Sequence, residues 1–468
     1  MSLQYQSCAG QCNIGAGKND ILRPITRLMT ASSNPLRLPP GPEEPLRIDV
    51  DPETLDVLQR LQREYGNMVS IMLPGGRKSC FVNDPEEVRR ILVRRHAKYS
   101  KGRGFERIKM LLGNGIIVSD GDVWRRARTM IQPAFSRQNV HKLIEQMTLC
   151  CEKRAQQWNE VVKTGGVLNI TREMNEFALE LILRSIFGVD YEGKIVKDGS
   201  NPFSFLSQDS ARDLSVVMKV RNLRSFLLEI ITARRQSETQ EQFDFLAMYV
   251  NATDKSGNSF TDKELIDELI TLIVAGYETS AGTLNWAWSL IASHPEVERE
   301  LLAEARRHIR ENEPIESASV SEMTYAQQVL EETLRLYPPV WIYSRKSNED
   351  DFLTDFDVPK DTELYLSPYI LHRTAEFWPD PDRFDPSRFG PEGMYKKGSR
   401  PYFPFSLGPR RCLGEYFSFL EMKIHLGYLV QRFHMEQVSD EFPGLNLGIN
   451  LRSQNDIMLR PSVQQFAE

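Results

Sequence analysis

Phe405-Ser-Leu-Gly-Pro-Arg-Arg-Cys412-Leu-Gly414 decides the reading of this chain, because it sets one cysteine in a glycine-punctuated loop immediately before a strongly apolar helical pattern. A cysteine sulfur ligates a metal as the thiolate, the form favoured by nearby cations and by a helix N-terminus. Arg410 and Arg411 precede Cys412, and Glu415 to Arg432 carries Phe417, Leu420, Ile424, Tyr428 and Leu429 at helical spacing. Gly408 and Gly414 lack a Cβ, which permits tight turning and close approach to something flat and bulky. A buried, inert cysteine is the bland alternative; it leaves the surrounding glycines and cations without a purpose.

The order Phe-x-x-Gly-x-Arg-x-Cys-x-Gly resembles the haem-ligand signature of the cytochrome P-450 family, and each defining position is filled here. The resemblance implies a mainly α fold with small β-sheets, a triangular helical prism around a buried haem b. It makes Cys412 the axial ligand of the haem iron and places Phe405 and Gly414 against the cofactor. It runs from about Leu38 to the C-terminus, with five motifs in the family's order.

A second element begins at the capping box Thr261-x-x-Glu264 and meets no proline until His294-Pro295. About 33 residues at 1.5 Å each predict one helix of roughly 50 Å, enough to cross a domain. At its centre Ala275-Gly276-x-Glu278-Thr279 resembles the family's oxygen-binding stretch. Small residues there leave room for dioxygen and substrate. Thr279 then holds a proton at reduced dioxygen and Glu278 relays protons, so that the O–O bond breaks heterolytically instead of releasing peroxide. The bland alternative has Thr279 bonding its own i−4 carbonyl and Glu278 on a solvated face.

Glu332-Thr-Leu-Arg335 closes a predicted helix before Tyr337-Pro338-Pro339 and matches the family's Glu-x-x-Arg pair. Pro381-Asp-Arg383-Phe384 resembles the meander that follows. Together they imply a buried triad of Glu332, Arg335 and Arg383 that locks the loop presenting Cys412. Haem also carries two propionates, and a buried anion needs cations or donors. By resemblance these are Trp124 and Arg128, four apart on one helix face, with Arg345 and Arg410.

Composition agrees with a large globular protein: 468 residues, 41% hydrophobic and 26% charged, with no repeat or low-complexity block dividing the interior. The reading is an N-terminal leader over 1–37 without a transmembrane anchor, and a single catalytic domain over 38–468. Net charge −6 argues against a nucleic-acid surface. Six cysteines without disulfide-framework spacing point to a reducing, cytoplasmic setting, and the chain is expected to be a monomer. Strands are predicted over Met68–Leu73 and Cys80–Val82 around Pro74-Gly75-Gly76, then a helix start at Asn83-Asp84-Pro85.

No flavin domain follows the C-terminal strands, so electrons from NAD(P)H are expected through a separate ferredoxin, flavodoxin or reductase. Lys396, Lys397, Arg400, Arg411 and Lys423, with Arg125 and Arg126, would form its basic docking face beside the cysteine. The pocket wall is assigned to Phe105, Met110, Leu111, Leu112, Ile116 and Ile117, to Val274 and Ala275, to Val340, Trp341 and Ile342, and to Leu447 and Ile449. These side chains are apolar, which points to a hydrophobic substrate. The function so implied is a haem-thiolate monooxygenase using dioxygen to hydroxylate or epoxidise such a molecule. A haem-thiolate isomerase or peroxygenase, which would not need Glu278 and Thr279, and a non-catalytic haem sensor are the alternatives.

Overall fold

Helix dominates because the apolar residues recur at helical spacing along most of the chain, and the longest helix organises the rest. The computed structural model describes residues 36–49, 51–197, 200–208, 214–236, 243–310, 313–395 and 401–465. Within it, Arg37–Glu468 is one compact unit. The central helix spans Asp262–Ser293, and its start is the capping box foreseen from sequence: Thr261 accepts from the Glu264 N–H while the Glu264 carboxylate accepts from the Thr261 N–H. It stops at His294 because Pro295 opens the next helix, Pro295–His308.

The central helix packs along Ile170–Phe187, and the two approach closely at Gly276. A Cβ there would lie 2.7 Å from both Cγ1 and Cδ1 of Ile182. The small residue therefore serves helix contact, and together with its neighbour Ala275 it also lines the cavity described below. Trp158, Trp286 and Trp288 are fully buried in the same core, with Trp158 and Trp288 edge to face.

A five-stranded sheet flanks the helices in the order Met68–Leu73, Arg77–Val82, Glu363–Leu366, Tyr343–Ser347, Tyr99–Lys101. The first two strands form the hairpin expected around Gly75 and Gly76, with Met68 opposite Val82 and Leu73 opposite Arg77. Its second strand starts three residues earlier than Cys80 because the polar pair Arg77-Lys78 still completes the ladder. Asp84 then caps Pro85–Arg89 by accepting from the Glu87 N–H. A second hairpin, Leu445–Leu447 with Leu451–Ser453, leans on the central helix. Among the described residues no helix is long and apolar enough to cross a membrane.

Candidate haem-thiolate site

Glu415–Val430 forms the helix expected after the cysteine loop, with Gly414 at its N-cap. The loop closes through the Cys412 N–H, which donates to the Phe405 carbonyl at 2.9 Å. Gly408 holds φ +70°, and a Cβ on it would fall 2.2 Å from the Leu92 carbonyl oxygen, so only glycine serves there. Of the described cysteines, Cys80, Cys150 and Cys151 are buried, whereas Cys412 is exposed to a large internal cavity. Surrounding protein still desolvates its thiol and pushes it up to about 11, against the pull of the Gly414 N–H, Arg128 and Arg411. The cations expected to favour thiolate are thus outweighed by burial, and Arg410 is engaged elsewhere.

The cavity measures about 1750 Å³, against the roughly 300–1,000 Å³ of an ordinary ligand site. Trp124, Arg128, Arg345 and Arg410 all line it. Trp124 and Arg128 share a face of the helix Gly121–Ile131. The Arg410 guanidinium sits 4.5 Å from the Trp124 ring centroid and pairs with Asp120. Arg128 donates to the Arg411 carbonyl at 2.7 Å, and Arg345 to its neighbour's carbonyl at 2.8 Å. Desolvation lowers Arg345 to about 10, with repulsion from Arg410 adding to it. Lys101, which sequence reasoning missed, joins them: its ammonium donates to the Ile116 and Ile117 carbonyls, and desolvation followed by Arg410 and Arg345 drives it well below its usual range. Four cations stand here against Asp120 and Glu268, leaving this end of the cavity net positive.

Ala275, Glu278 and Thr279 of the central helix also reach the cavity. The Thr279 hydroxyl donates to the Ala275 carbonyl at 2.9 Å, the i−4 bond weighed above as the bland alternative. Glu278 is not on a solvated face: it is ion-paired to Arg452, a second residue that sequence reasoning missed. Phe105, Leu112, Ile116, Ile117, Val274, Val340, Ile342, Leu447 and Ile449 line the same cavity.

Two assigned wall residues are not there. Met110 is 78% exposed because it lies on the outer face of the short helix Phe105–Leu112. Trp341 is fully buried in the core, its indole N–H donated to the Gly448 carbonyl at 2.9 Å. The side chain of Leu111 lies outside the described residues.

The triad also differs. Glu332 and Arg335 are completely buried and form a bidentate pair at 2.6 and 2.9 Å, as expected. The second guanidinium belongs to Arg388, not Arg383. Arg388 is 4% exposed with Nε 3.3 Å from Glu332, because the turn Pro386–Phe389 swings it inward. The Arg383 side chain is exposed, and its carbonyl alone reaches Arg335, at 3.1 Å.

The basic docking face is corrected in the same way. Lys423 is 7% exposed, lowered to about 8 by desolvation, with Glu304 and Glu331 opposing. Arg411 pairs with Glu415, Arg125 with Asp122, and Arg126 with Asp254 and Glu264. Lys396, Lys397 and Arg400 lie outside the described residues.

A thiol open to the cavity just before a helix N-terminus, with cations gathered at one end of that cavity, is the arrangement expected from the Cys412 motif, and the cytochrome P450 family pattern matches residues 46–457. The chain belongs to the cytochrome P450 family. It is 29% identical over 391 residues to cyclooctatin synthase of Streptomyces melanosporofaciens, covering 80% of this chain and 84% of that one. Pentalenene oxygenase of Streptomyces avermitilis is 26% identical over 387 residues, 79% and 84% covered. Cyclooctat-9-en-7-ol 5-monooxygenase of Streptomyces melanosporofaciens is 27% identical over 400 residues, 82% and 84% covered.

Solved structures agree in fold. A crystal structure of a cytochrome P450 superposes with TM-score 0.81 at 22% identity, covering 92% of this chain and all of that one. A retinoic acid-bound cyanobacterial relative gives 0.78 at 23%, again 92% and all.

The residues present fit the family's haem. The accessible thiol suits an iron ligand, and a metal ion at the sulfur would offset the burial that otherwise protonates it. The cationic end suits two carboxylates, which would relieve the mutual repulsion of Lys101, Arg345 and Arg410. This cytochrome P450 is an oxidoreductase of the monooxygenase class.

Proposed function

We propose that this cytochrome P450 inserts one oxygen atom into a hydrophobic substrate, a cyclic alkene or its alcohol, by hydroxylation or epoxidation. The observation that carries the reading is one cavity whose lining brings together the accessible Cys412, the Glu278–Thr279 pair and apolar side chains from Phe105 and Leu112 through Val274 and Val340 to Ile449. Relatives named for pentalenene and cyclooctat-9-en-7-ol support the substrate class.

When bound, the haem iron supplies activation of dioxygen. Cys412 would hold the iron and donate electron density that favours O–O cleavage. Trp124, Arg128, Arg345 and Arg410, with Lys101, would hold the propionates. The apolar wall orients the substrate and excludes water. Thr279 presents at the cavity a hydroxyl oxygen whose own proton goes to the Ala275 carbonyl, so it can accept a hydrogen bond there, and Glu278, the preceding residue of the helix, can relay a proton toward it. Electrons come from NAD(P)H through a separate ferredoxin, flavodoxin or reductase, bound on the face behind Cys412 and without Lys423. The three buried free thiols, Cys80, Cys150 and Cys151, support a reducing cytoplasmic setting, where the protein acts as a monomer.

The test is the absorption spectrum of the dithionite-reduced protein with carbon monoxide. The expected result is a strongly red-shifted Soret band that Cys412→Ser abolishes. A folded, haem-loaded wild type without that band would overturn the reading. Product analysis with cyclic alkenes then tests the substrate class.

A further inference from the structure

Arg452 lies 174 residues beyond Glu278, on the second strand of the hairpin Leu445–Leu447/Leu451–Ser453, yet its guanidinium pairs with the Glu278 carboxylate. The Glu278 side chain is 10% exposed and that of Arg452 35%, so the acid sits inside the wall and the cation at its open edge. Removing one member of so enclosed a pair strands the other charge.

The hairpin is anchored on three sides. The Leu451 N–H donates to the Pro339 carbonyl at 2.8 Å, the Trp341 indole to Gly448 at 2.9 Å, and the Asn285 amide to the Ser453 hydroxyl at 3.2 Å. Between the anchors Asn446, Leu447, Ile449 and Asn450 line the cavity. One element therefore offers contacts to whatever fills the cavity and a cation to the acid beside Thr279.

We propose that Arg452 is a positioning residue, holding the Glu278 side chain to the hairpin so that proton supply toward Thr279 depends on how substrate seats against Asn446–Asn450. The inference rests on the monooxygenase reading above. In coupled turnover a substrate RH, dioxygen, two electrons and two protons give ROH and water. In uncoupled turnover dioxygen, two electrons and two protons give hydrogen peroxide and RH is untouched. Arg452 makes and breaks no bond; it biases the partition between these outcomes through the place of Glu278.

The experiment compares wild type, Arg452→Met, Arg452→Lys, Glu278→Gln and the double variant Arg452→Met/Glu278→Gln as haem-loaded proteins with a surrogate ferredoxin and its reductase. Product and hydrogen peroxide are counted per NAD(P)H. Arg452→Met should lower product per electron pair on the order of tenfold, in keeping with loss of an oriented proton donor. Arg452→Lys should restore most of it, and adding Glu278→Gln to Arg452→Met should cost nothing further. Unchanged coupling in Arg452→Met, or additive losses in the double variant, would overturn the proposal while leaving wild-type turnover, and with it the monooxygenase reading, intact. A wild type without the carbon monoxide signature would instead fail that reading.

A readout independent of turnover is hydrogen exchange of the hairpin amides, Asn446 to Arg452, in wild type and Glu278→Gln. The ion pair requires faster exchange in the variant, and equal exchange would overturn the proposal even where Arg452→Met does not load haem.

Discussion

Arg388 and Arg383 lie five residues apart in the meander, and the structure gives them opposite fates. Arg388 is 4% exposed, donates through Nη1 to the Pro379 carbonyl at 2.7 Å and through Nη2 to the Asp380 carbonyl at 2.9 Å, and faces Glu332 at 3.3 Å. Arg388→Ala therefore orphans two carbonyls and leaves the buried Glu332 with one guanidinium instead of two. Hydrogen bonds to charged groups contribute about 1.5–3 kcal/mol each, and breaking a buried pair costs about 3–5 kcal/mol. The terms overlap, so the expected cost is about 3–5 kcal/mol rather than their sum. Arg383→Ala removes an exposed side chain and keeps the carbonyl that Arg335 uses, so it should stay within about 0.5 kcal/mol. Equilibrium urea unfolding of both haem-loaded variants, followed by far-ultraviolet circular dichroism and by the visible haem band, separates the two. Equal losses, or a loss below about 1 kcal/mol for Arg388→Ala, would refute the assignment of the triad.

Gly276→Ala should cost about 1–3 kcal/mol, because its Cβ would meet two Ile182 side-chain atoms at 2.7 Å; adding Ile182→Ala should make Gly276→Ala nearly neutral, read as a double-mutant cycle in urea. Glu268 gives a pH-dependent expectation. Burial raises its carboxyl from 4.5 to about 7, opposed by the Ile116 N–H. A raised folded value means that its contribution is fully present below about 4.5 and is lost as pH rises through about 7. Wild type should thus lose on the order of 2–3 kcal/mol relative to Glu268→Gln between pH 4.5 and 8, and parallel stability curves would refute this.

What could be read from the sequence was local. The Cys412 loop, the Thr261–Glu264 capping box and the Glu332–Arg335 pair each act within a few residues, so their spacing carries their geometry. Arg388 escaped because which meander arginine turns inward is decided by the short turn Pro386–Phe389, not by motif position. Lys423 looked like a surface cation, yet Leu420 to Gly427 is buried at every position. Leu420, Met422, Ile424, Leu426 and Leu429 fall on all sides of the helix between the polar residues, which was the available signal that this helix has no solvent face. Arg452 and Lys101 offered no such signal, since each finds its partners only after distant segments meet.

The charges of the central helix show how such meetings are arranged. Asp267 accepts the Asn114 N–H at 2.8 Å and pairs with Arg224 at 2.7 Å, Glu268 accepts the Ile116 N–H at 2.9 Å, and Glu278 holds Arg452. The loop at Asn114 can come so near because a Cβ on Gly113 or Gly115 would collide with Asp267 or Thr271. Eleven residues separate Asp267 from Glu278, and Glu268 from Thr279, which is about three helical turns. Each pair therefore shares a face, roughly 16 Å apart along the axis. Glu268, Leu272, Ala275, Thr279 and Thr283 continue one such stripe along the cavity. One rigid helix thus sets the loop at one end of the cavity and the hairpin at the other. A substrate large enough to touch both presses on elements whose spacing is fixed by the helix that carries Thr279, so substrate fit and the position of the alcohol are coupled through a single element rather than through a chain of side chains.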